Sequence, residues 1–94
     1  MPAAARLTDP DTSDGSINGG TVDSVLINGL PAAVVTSVDS SHAPYGPPHP
    51  PHEAATIVAG SDTVFVEGLP LARVGDPLSC GHAIADGSPD VEVD

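Results

Sequence analysis

One stretch occurs nearly twice in this sequence, first as Val25-Leu26-Ile27-Asn28-Gly29-Leu30-Pro31-Ala32-Ala33-Val34-Val35 and, thirty-nine residues later, as Val64-Phe65-Val66-Glu67-Gly68-Leu69-Pro70-Leu71-Ala72-Arg73-Val74. A unit that recurs at a fixed period usually packs against its own copy. The repeat therefore predicts a structural role for this protein rather than a catalytic one.

The two ends of the chain supply the halves of a third copy. Residues 2–9, which read Pro-Ala-Ala-Ala-Arg-Leu-Thr-Asp, match the second half of the repeat at 70–76, and residues 84–93 match its first half at 57–66. We therefore expect one domain over residues 1–94 with three quasi-equivalent arms. These arms are residues 17–39, residues 57–76, and residues 84–94 completed by residues 1–9, with a proline-rich loop at 40–55.

Short strands joined by tight turns are the secondary structure that the pattern favours. β-Branched residues alternate over 22–27 and 63–66, and Asn28-Gly29 and Glu67-Gly68 follow where a hairpin turn belongs. The runs at 32–35 and 71–74 are expected to pair back on the first strand of each hairpin. Because no stretch of ten residues combines helical periodicity with freedom from Gly, Pro and β-branched clusters, we expect an all-β fold without helices.

Size and composition limit both stability and partners. A chain of 94 residues with Tyr45 and Phe65 as its only aromatic residues buries a small core. A net charge of −11, with Arg6 and Arg73 as the only basic side chains apart from histidine, argues against binding nucleic acid or anionic lipid. The many prolines, glycines and acidic residues are also compatible with disorder, but ordered repeats of branched residues argue against it.

The side chains that can bind a metal gather in two parts of the sequence. When the arms are aligned on the isoleucines at 17, 57 and 84, the segment before each isoleucine carries at least one such side chain, and threefold packing would bring these segments together at one end of the axis. Nitrogen and thiolate ligands favour zinc, with iron as the other ion considered, and a closed site of four ligands is structural. The candidates are all four histidines and the only cysteine, namely His42, His49, His52, Cys80 and His82.

Simpler interpretations stand beside the metal site. The histidines could be solvated and Cys80 a small buried apolar residue, and we favour the solvated interpretation for His49. The loop at 40–55 could be a plain linker, although it holds three of the four histidines. Most aspartates lie beside Gly, Pro or Ser and are interpreted as turn formers. They are Asp9, Asp11, Asp39, Asp62, Asp76, Asp86 and Asp90.

The whole chain resembles the PAAR-repeat proteins, whose Pro-Ala-Ala-Arg phrase occurs here in variant form at residues 2–6, 31–34 and 70–73. The resemblance implies a small conical β domain with zinc near its apex. Such a domain sits on the blunt end of a homotrimeric β-helical spike, one per trimer, and sharpens the spike for puncturing an envelope. The parent machine would be a type VI secretion system or a contractile phage-like tail.

The resemblance also implies a zinc site of three histidines and one cysteine. His42, His52 and Cys80 match this set by type. For the fourth ligand, Ser13-Asp14-Gly15 stands where related sequences have Ser-His-Gly. Either Asp14 or His82 therefore completes the site, and we favour His82, which keeps the number of nitrogen ligands unchanged.

The remaining expectations concern function and location. The protein would be made in the cytoplasm and assembled on a spike or tail tip, or in a virion if a phage encodes it. It would then be delivered outside the cell or into a target cell, with transient contact with the target membrane. An adaptor that carries effector cargo through residues 40–51 is one alternative. A zinc hydrolase with Glu53 as general base is the other, but we expect no enzymatic activity.

Overall fold

The computed structural model describes residues 2–12, 15–40 and 54–93. Within these ranges the chain forms short antiparallel strands and contains no helix, which confirms the all-β prediction, and none of its elements is an apolar helix of membrane-spanning length. β1, β4 and β5 form one sheet in the order β1-β4-β5, while β2-β3 and β6-β7 are separate hairpins. The strands are β1 (Ile17–Gly19), β2 (Val22–Ile27), β3 (Leu30–Ala32), β4 (Val38–Ser40), β5 (Ala54–Thr56), β6 (Phe65–Val66) and β7 (Leu69–Pro70).

Both predicted hairpin turns are present and have the same backbone conformation. Asn28 and Gly29 have φ values of 54° and 83°, and Glu67 and Gly68 have 50° and 82°. Positive φ at both central residues is the signature of the type I′ turn, whose twist matches that of the flanking strands. The Asn-Gly and Glu-Gly pairs therefore fix the register of the two hairpins.

The predicted return strands are wrong in extent. β3 and β7 begin directly after the turns, and although the N–H of Leu71 still donates to the carbonyl of Val64 in its own hairpin, the residues that follow bind other arms. The N–H of Ala33 donates to the carbonyl of Ala5 at 3.1 Å, and the N–H of Val35 donates to the carbonyl of Pro70 at 3.0 Å. From Ala33 and Ala72 onward, the second half of each repeat thus joins one arm to another rather than closing its own hairpin.

A closed cycle of backbone hydrogen bonds joins the three arms at the centre of the fold. The N–H of Ala5 donates to the carbonyl of Ala72 at 3.0 Å, Ala72 donates to Ala33 at 2.9 Å, and Ala33 donates back to Ala5 at 3.1 Å. All three alanines are fully buried. A side chain larger than a methyl group would hold the three backbones apart, so alanine at these positions is what allows the cycle to close.

A ring of isoleucines repeats the same symmetry next to the alanine cycle. Ile17, Ile57 and Ile84 are each buried. The N–H of each donates to a carbonyl in the turn that follows the alanine of an arm, at residues 9, 37 and 76, over 2.9 to 3.0 Å. The carbonyl of each accepts from the N–H of residues 8, 36 and 75, over 2.8 to 2.9 Å. Three branched side chains therefore pack around one axis with matched backbone partners.

The third arm joins the two ends of the chain. Ala3 and Glu92 form an antiparallel bridge. The N–H of Val93 donates to the carbonyl of Pro2 at 2.8 Å. These contacts occupy the place that the β2-β3 and β6-β7 pairs hold in the other two arms.

The core divides into two clusters along the axis. The apical cluster is centred on the isoleucine ring and extends to Leu78. The basal cluster holds the inward-facing strand residues Ile27, Val66 and Val93. We call the end with the loop at 78–82 the apical end and the end with the hairpin turns the basal end.

Gly87→Ala is expected to destabilise the fold, whereas Gly19→Ala should be neutral or slightly stabilising. A Cβ at Gly87 would lie 2.5 Å from the carbonyl oxygen of Ala4 and 3.0 Å from Cγ2 of Val74, but a Cβ at Gly19 would meet no heavy atom within 4 Å. Overpacking of this kind costs about 1 to 3 kcal/mol. Urea unfolding of the two variants measures the difference, and equal midpoints would contradict this account of how closely the arms approach.

Candidate functional site

The apical loop at residues 78–82 holds the two predicted ligands that the structure describes. Leu78 donates its N–H to the carbonyl of His82 at 2.8 Å, and Gly81, at φ 97°, donates to the carbonyl of Leu78 at 3.0 Å. These bonds fold the loop into a tight turn. Cys80 is half-buried and packs against the apical cluster, and His82 is also half-buried.

The segments that precede the other two ring isoleucines hold this loop in place. Thr12 Oγ1 lies 3.5 Å from Nδ1 of His82 and accepts the N–H of Ala83 at 3.2 Å. On the other side, the N–H of Ser79 donates to the carbonyl of Thr56 at 2.8 Å, and the N–H of Thr56 donates to Ser79 Oγ at 3.1 Å. The segments before all three isoleucines therefore meet around the loop that carries the thiol and the imidazole.

The structure places only part of the predicted ligand set. Cys80 and His82 lie in one loop, whereas His42, His49, His52 and Asp14 lie outside the described residues. Among residues 2–12, 15–40 and 54–93, no group of three or more His, Cys, Asp or Glu side chains is placed to hold a metal ion. The four-ligand site stays a prediction.

The sheet of β1, β4 and β5 pairs the two described residues that flank the segment with the other histidines. Ser40, at the end of β4, is the register partner of Ala54, at the start of β5. Ser40 and Ser79 each follow a residue that pairs with one of the ring isoleucines, so the two serines are equivalent. The described residues Ser40 and Ala54 therefore lie together at the apical end, where Cys80 also lies.

A third ring lies between the isoleucines and the apical loop, and sequence reasoning missed it. Each member pairs with one of the three ring isoleucines and is buried, but two members are carboxylic acids and one is apolar. They are Asp11, which pairs with Ile84, Asp39, which pairs with Ile17, and Leu78, which pairs with Ile57. The signal that could have found this ring was the alignment of Pro10-Asp11 with Pro77-Leu78.

Asp39 faces Asp11 inside the protein rather than forming a turn, so the turn interpretation is wrong for Asp39. It lies in the middle of β4, and no N–H or hydroxyl group of the described residues donates to its carboxylate oxygens. Burial, followed by the hydrogen bond to Asp11 and its charge, raises the pKa of Asp39 to about 8. Two carboxylates cannot donate to each other, so a proton on one of them makes the hydrogen bond.

The arginine of the repeated phrase has a local role in two arms. The backbone N–H of Arg6 donates to Oδ2 of Asp9 at 2.7 Å, and the guanidinium of Arg6 forms an ion pair with Oδ1 at 2.9 Å. Arg73 binds Asp76 with the same distances. In both arms the aspartate holds the backbone and the guanidinium of one turn together, so the arginine shapes the arm rather than contacting a ligand.

The arm at residues 17–39 has the same turn, but a serine hydroxyl takes the place of the aspartate carboxylate. The N–H of Val34 donates to Ser37 Oγ at 3.0 Å, and the same hydroxyl donates to the carbonyl of Gly20 at 2.9 Å. A hydroxyl can accept and donate at once, whereas a carboxylate can only accept. Ser37 therefore satisfies both the N–H of the turn and the carbonyl of Gly20. Because this arm has no aspartate in the turn, an arginine at position 34 would have no partner there, and the position is valine.

Three arms of short hairpins closed around one axis define a class of small structural β domain. The family described as the PAAR motif matches residues 7–86, and the chain belongs to this family. PAAR domains are structural tips of the spikes of secretion systems.

A named relative shows the same kind of region inside a larger protein. The double-stranded DNA deaminase toxin A of Burkholderia cenocepacia (strain H111) is 37% identical to this chain over 67 residues. The matched region covers 69% of this chain and 5% of the toxin. This chain therefore spans only a small part of the length of that relative.

Asp39→Asn is expected to reduce the pH dependence of stability. The folded protein holds the Asp39 proton up to about pH 8, whereas the unfolded chain releases it near 3.8. Between these values the folded state binds more protons, so the free energy of unfolding falls as pH rises, by at most about 1.4 kcal/mol per pH unit. Asparagine cannot ionise, and the variant should therefore gain stability relative to the parent as pH rises through this window.

Urea unfolding of the parent and the variant from about pH 5 to about pH 9 measures this gain. The comparison cancels any contribution from the histidines, which both proteins share. Asp62→Asn, which changes an exposed carboxylate, is the matched control. Parallel curves for Asp39→Asn and the parent would contradict the shared proton.

Proposed function

We propose that this chain is the structural tip that caps and sharpens the homotrimeric β-helical spike of a contractile injection machine. The observation that carries the proposal is the closed cycle through Ala5, Ala33 and Ala72, which gives a single chain near-threefold symmetry. Membership of the PAAR family supports the same role. The parent machine is a type VI secretion system or a phage-like tail, and the tip helps it to puncture an envelope.

A pseudo-threefold monomer suits the end of a trimer for a geometric reason. A threefold partner presents the same surface three times around its axis, and only an object with three similar faces can match all of them at once. An asymmetric domain of this size would contact one or two chains and leave the others exposed. One copy of this chain can instead contact all three chains.

Zinc bound at the apex would make the tip rigid. We propose His42, His52, Cys80 and His82 as its ligands. The nature of the donors supports this set, as do the common loop of Cys80 and His82 and the apical position of Ser40 and Ala54. A bound ion would supply a cross-link between arms, and structural zinc contributes roughly 10 to 16 kcal/mol of apparent folding free energy in small peptides.

A second candidate function is an adaptor that brings a toxic effector to the spike. The toxin of Burkholderia cenocepacia favours it, because its region of similarity to this chain is only 5% of its length. A domain of this type can therefore be part of a toxin chain. An effector that binds this chain without covalent attachment would use it as a carrier.

Mixing the chain with the trimeric spike protein of the same genome should give a complex of one tip per trimer. The physical reason is that three arms occupy all three equivalent sites at once, so a second copy has no place to bind. Light scattering coupled to size-exclusion chromatography measures the stoichiometry. Three copies per trimer, or no complex, would refute the cap.

Removing the ion or the thiol should strongly lower thermal stability, because the small core then has to hold the arms alone. We expect Cys80→Ser and treatment with a chelator to lower Tm by a similar amount, and Cys80→Ser to abolish bound zinc in elemental analysis. His82→Ala should also lose zinc if His82 is the fourth ligand, whereas Asp14→Ala should keep it. His49→Ala is the control, and an unchanged Tm after chelation would contradict the structural role of the metal.

A further inference from the structure

An exposed valine recurs in all three arms, close to the buried strand residues of the basal cluster. Val25, Val64 and Val91 are 37%, 38% and 37% exposed. The carbonyl of Val64 accepts the N–H of Leu71 at 3.0 Å, and the carbonyl of Val91 accepts the N–H of Ala4 at 2.9 Å, which is the same bond in two arms. Val64 and Val91 therefore occupy equivalent positions, and Val25 is their counterpart in the sequence because it precedes Leu26 as Val64 precedes Phe65.

The next position of each arm breaks this symmetry. Leu26 and Phe65 are 59% and 57% exposed, but the third arm has the exposed Glu92 at the equivalent position. Residue 27, 66 or 93, which comes next, is buried in every arm, so the order of exposed and buried positions is the same in all three. We call the six exposed residues the outer ring, which comprises Val25, Leu26, Val64, Phe65, Val91 and Glu92.

Acidic side chains border the outer ring. Asp23, Asp62 and Asp90 precede its valines and are exposed, and Glu67 is exposed in the turn after Phe65. Both arginines of the chain are paired with aspartates of their own turns. A partner that covers the ring therefore meets apolar side chains surrounded by negative charge, and its matching surface combines apolar sites with lysine or arginine.

We propose that the outer ring docks on a threefold-symmetric protein whose three identical sites are apolar and bordered by basic side chains, and that Leu26 and Phe65 provide most of the affinity. The third site meets Glu92, which does not match it. This inference rests on the proposed function, because the spike trimer is the partner. It adds that the cap is held unequally, by two arms out of three.

Both the acidic residues around the outer ring and the near-threefold symmetry favour this partner. Identical partner chains offer the same apolar site to Leu26, Phe65 and Glu92, so a site that suits the first two desolvates the carboxylate of the third at a cost. Exposed apolar side chains of this size contribute to affinity when a partner removes them from water. The terminal arm is therefore the weak contact, and replacing its one charged residue should strengthen the complex.

The test measures the Kd of the full chain and its variants for the trimeric spike protein of the same genome. Leu26→Ser and Phe65→Ser should each weaken binding about tenfold, and Glu92→Leu should tighten it about tenfold. Glu92→Gln separates charge from apolar fit and should gain much less than Glu92→Leu. Val58→Ser, an exposed apolar position outside the ring, is the matched control and should bind as the parent does.

Each result decides between the two levels of the proposal. If the parent binds but Glu92→Leu does not tighten the complex, or if Glu92→Gln gains as much, the unequal ring is wrong while the cap stands. If Leu26→Ser and Phe65→Ser bind like the parent, the ring is not the docking surface. If the parent itself does not bind, the proposed function fails. All variants change exposed side chains, and equal Tm values would establish that they fold.

Discussion

The cycle of hydrogen bonds through Ala5, Ala33 and Ala72 is the constraint on which the rest of the fold depends. Each of these backbones donates to one neighbour and accepts from the other, so none of the three arms can satisfy its groups alone. Unpaired backbone groups in a buried position are costly, and the cycle removes that cost for all three arms together. The isoleucine ring, and the ring of Asp11, Asp39 and Leu78 that pairs with it, then follow from this centre.

The departures from symmetry occur where the environment of one arm differs. Ser37 replaces the aspartate of the other two arms because its hydroxyl also has to donate to the carbonyl of Gly20. Leu78 and the two carboxyl groups of Asp11 and Asp39 share one ring, so one arm contributes an apolar side chain where the others contribute acids. A single chain with near-threefold symmetry can therefore combine two acids and a leucine in one ring. A homotrimer has the same residue three times at every position and cannot do so.

The sequence predicted the elements whose signals are local. The turns at Asn28-Gly29 and Glu67-Gly68 are confirmed because positive φ at both positions depends on those residues themselves. The return strands were predicted wrongly because whether Ala33 pairs with its own hairpin or with Ala5 depends on the closed ring, which propensity does not encode. The buried role of Asp39 was missed for a similar reason, since a carboxyl in turn-like company looks the same whether it faces water or Asp11. For the metal centre, residue types predict a ligand set that stays a prediction, and the structure describes the loop that holds Cys80 and His82.

The pairing of Ala3 with Glu92 has a consequence for how the domain is made. The residues around Ala3 are synthesised long before their partners around Glu92, so their arm cannot close until those partners are also made. Loop closure over such a separation costs entropy before any contact repays it. The third arm is therefore expected to close late in folding.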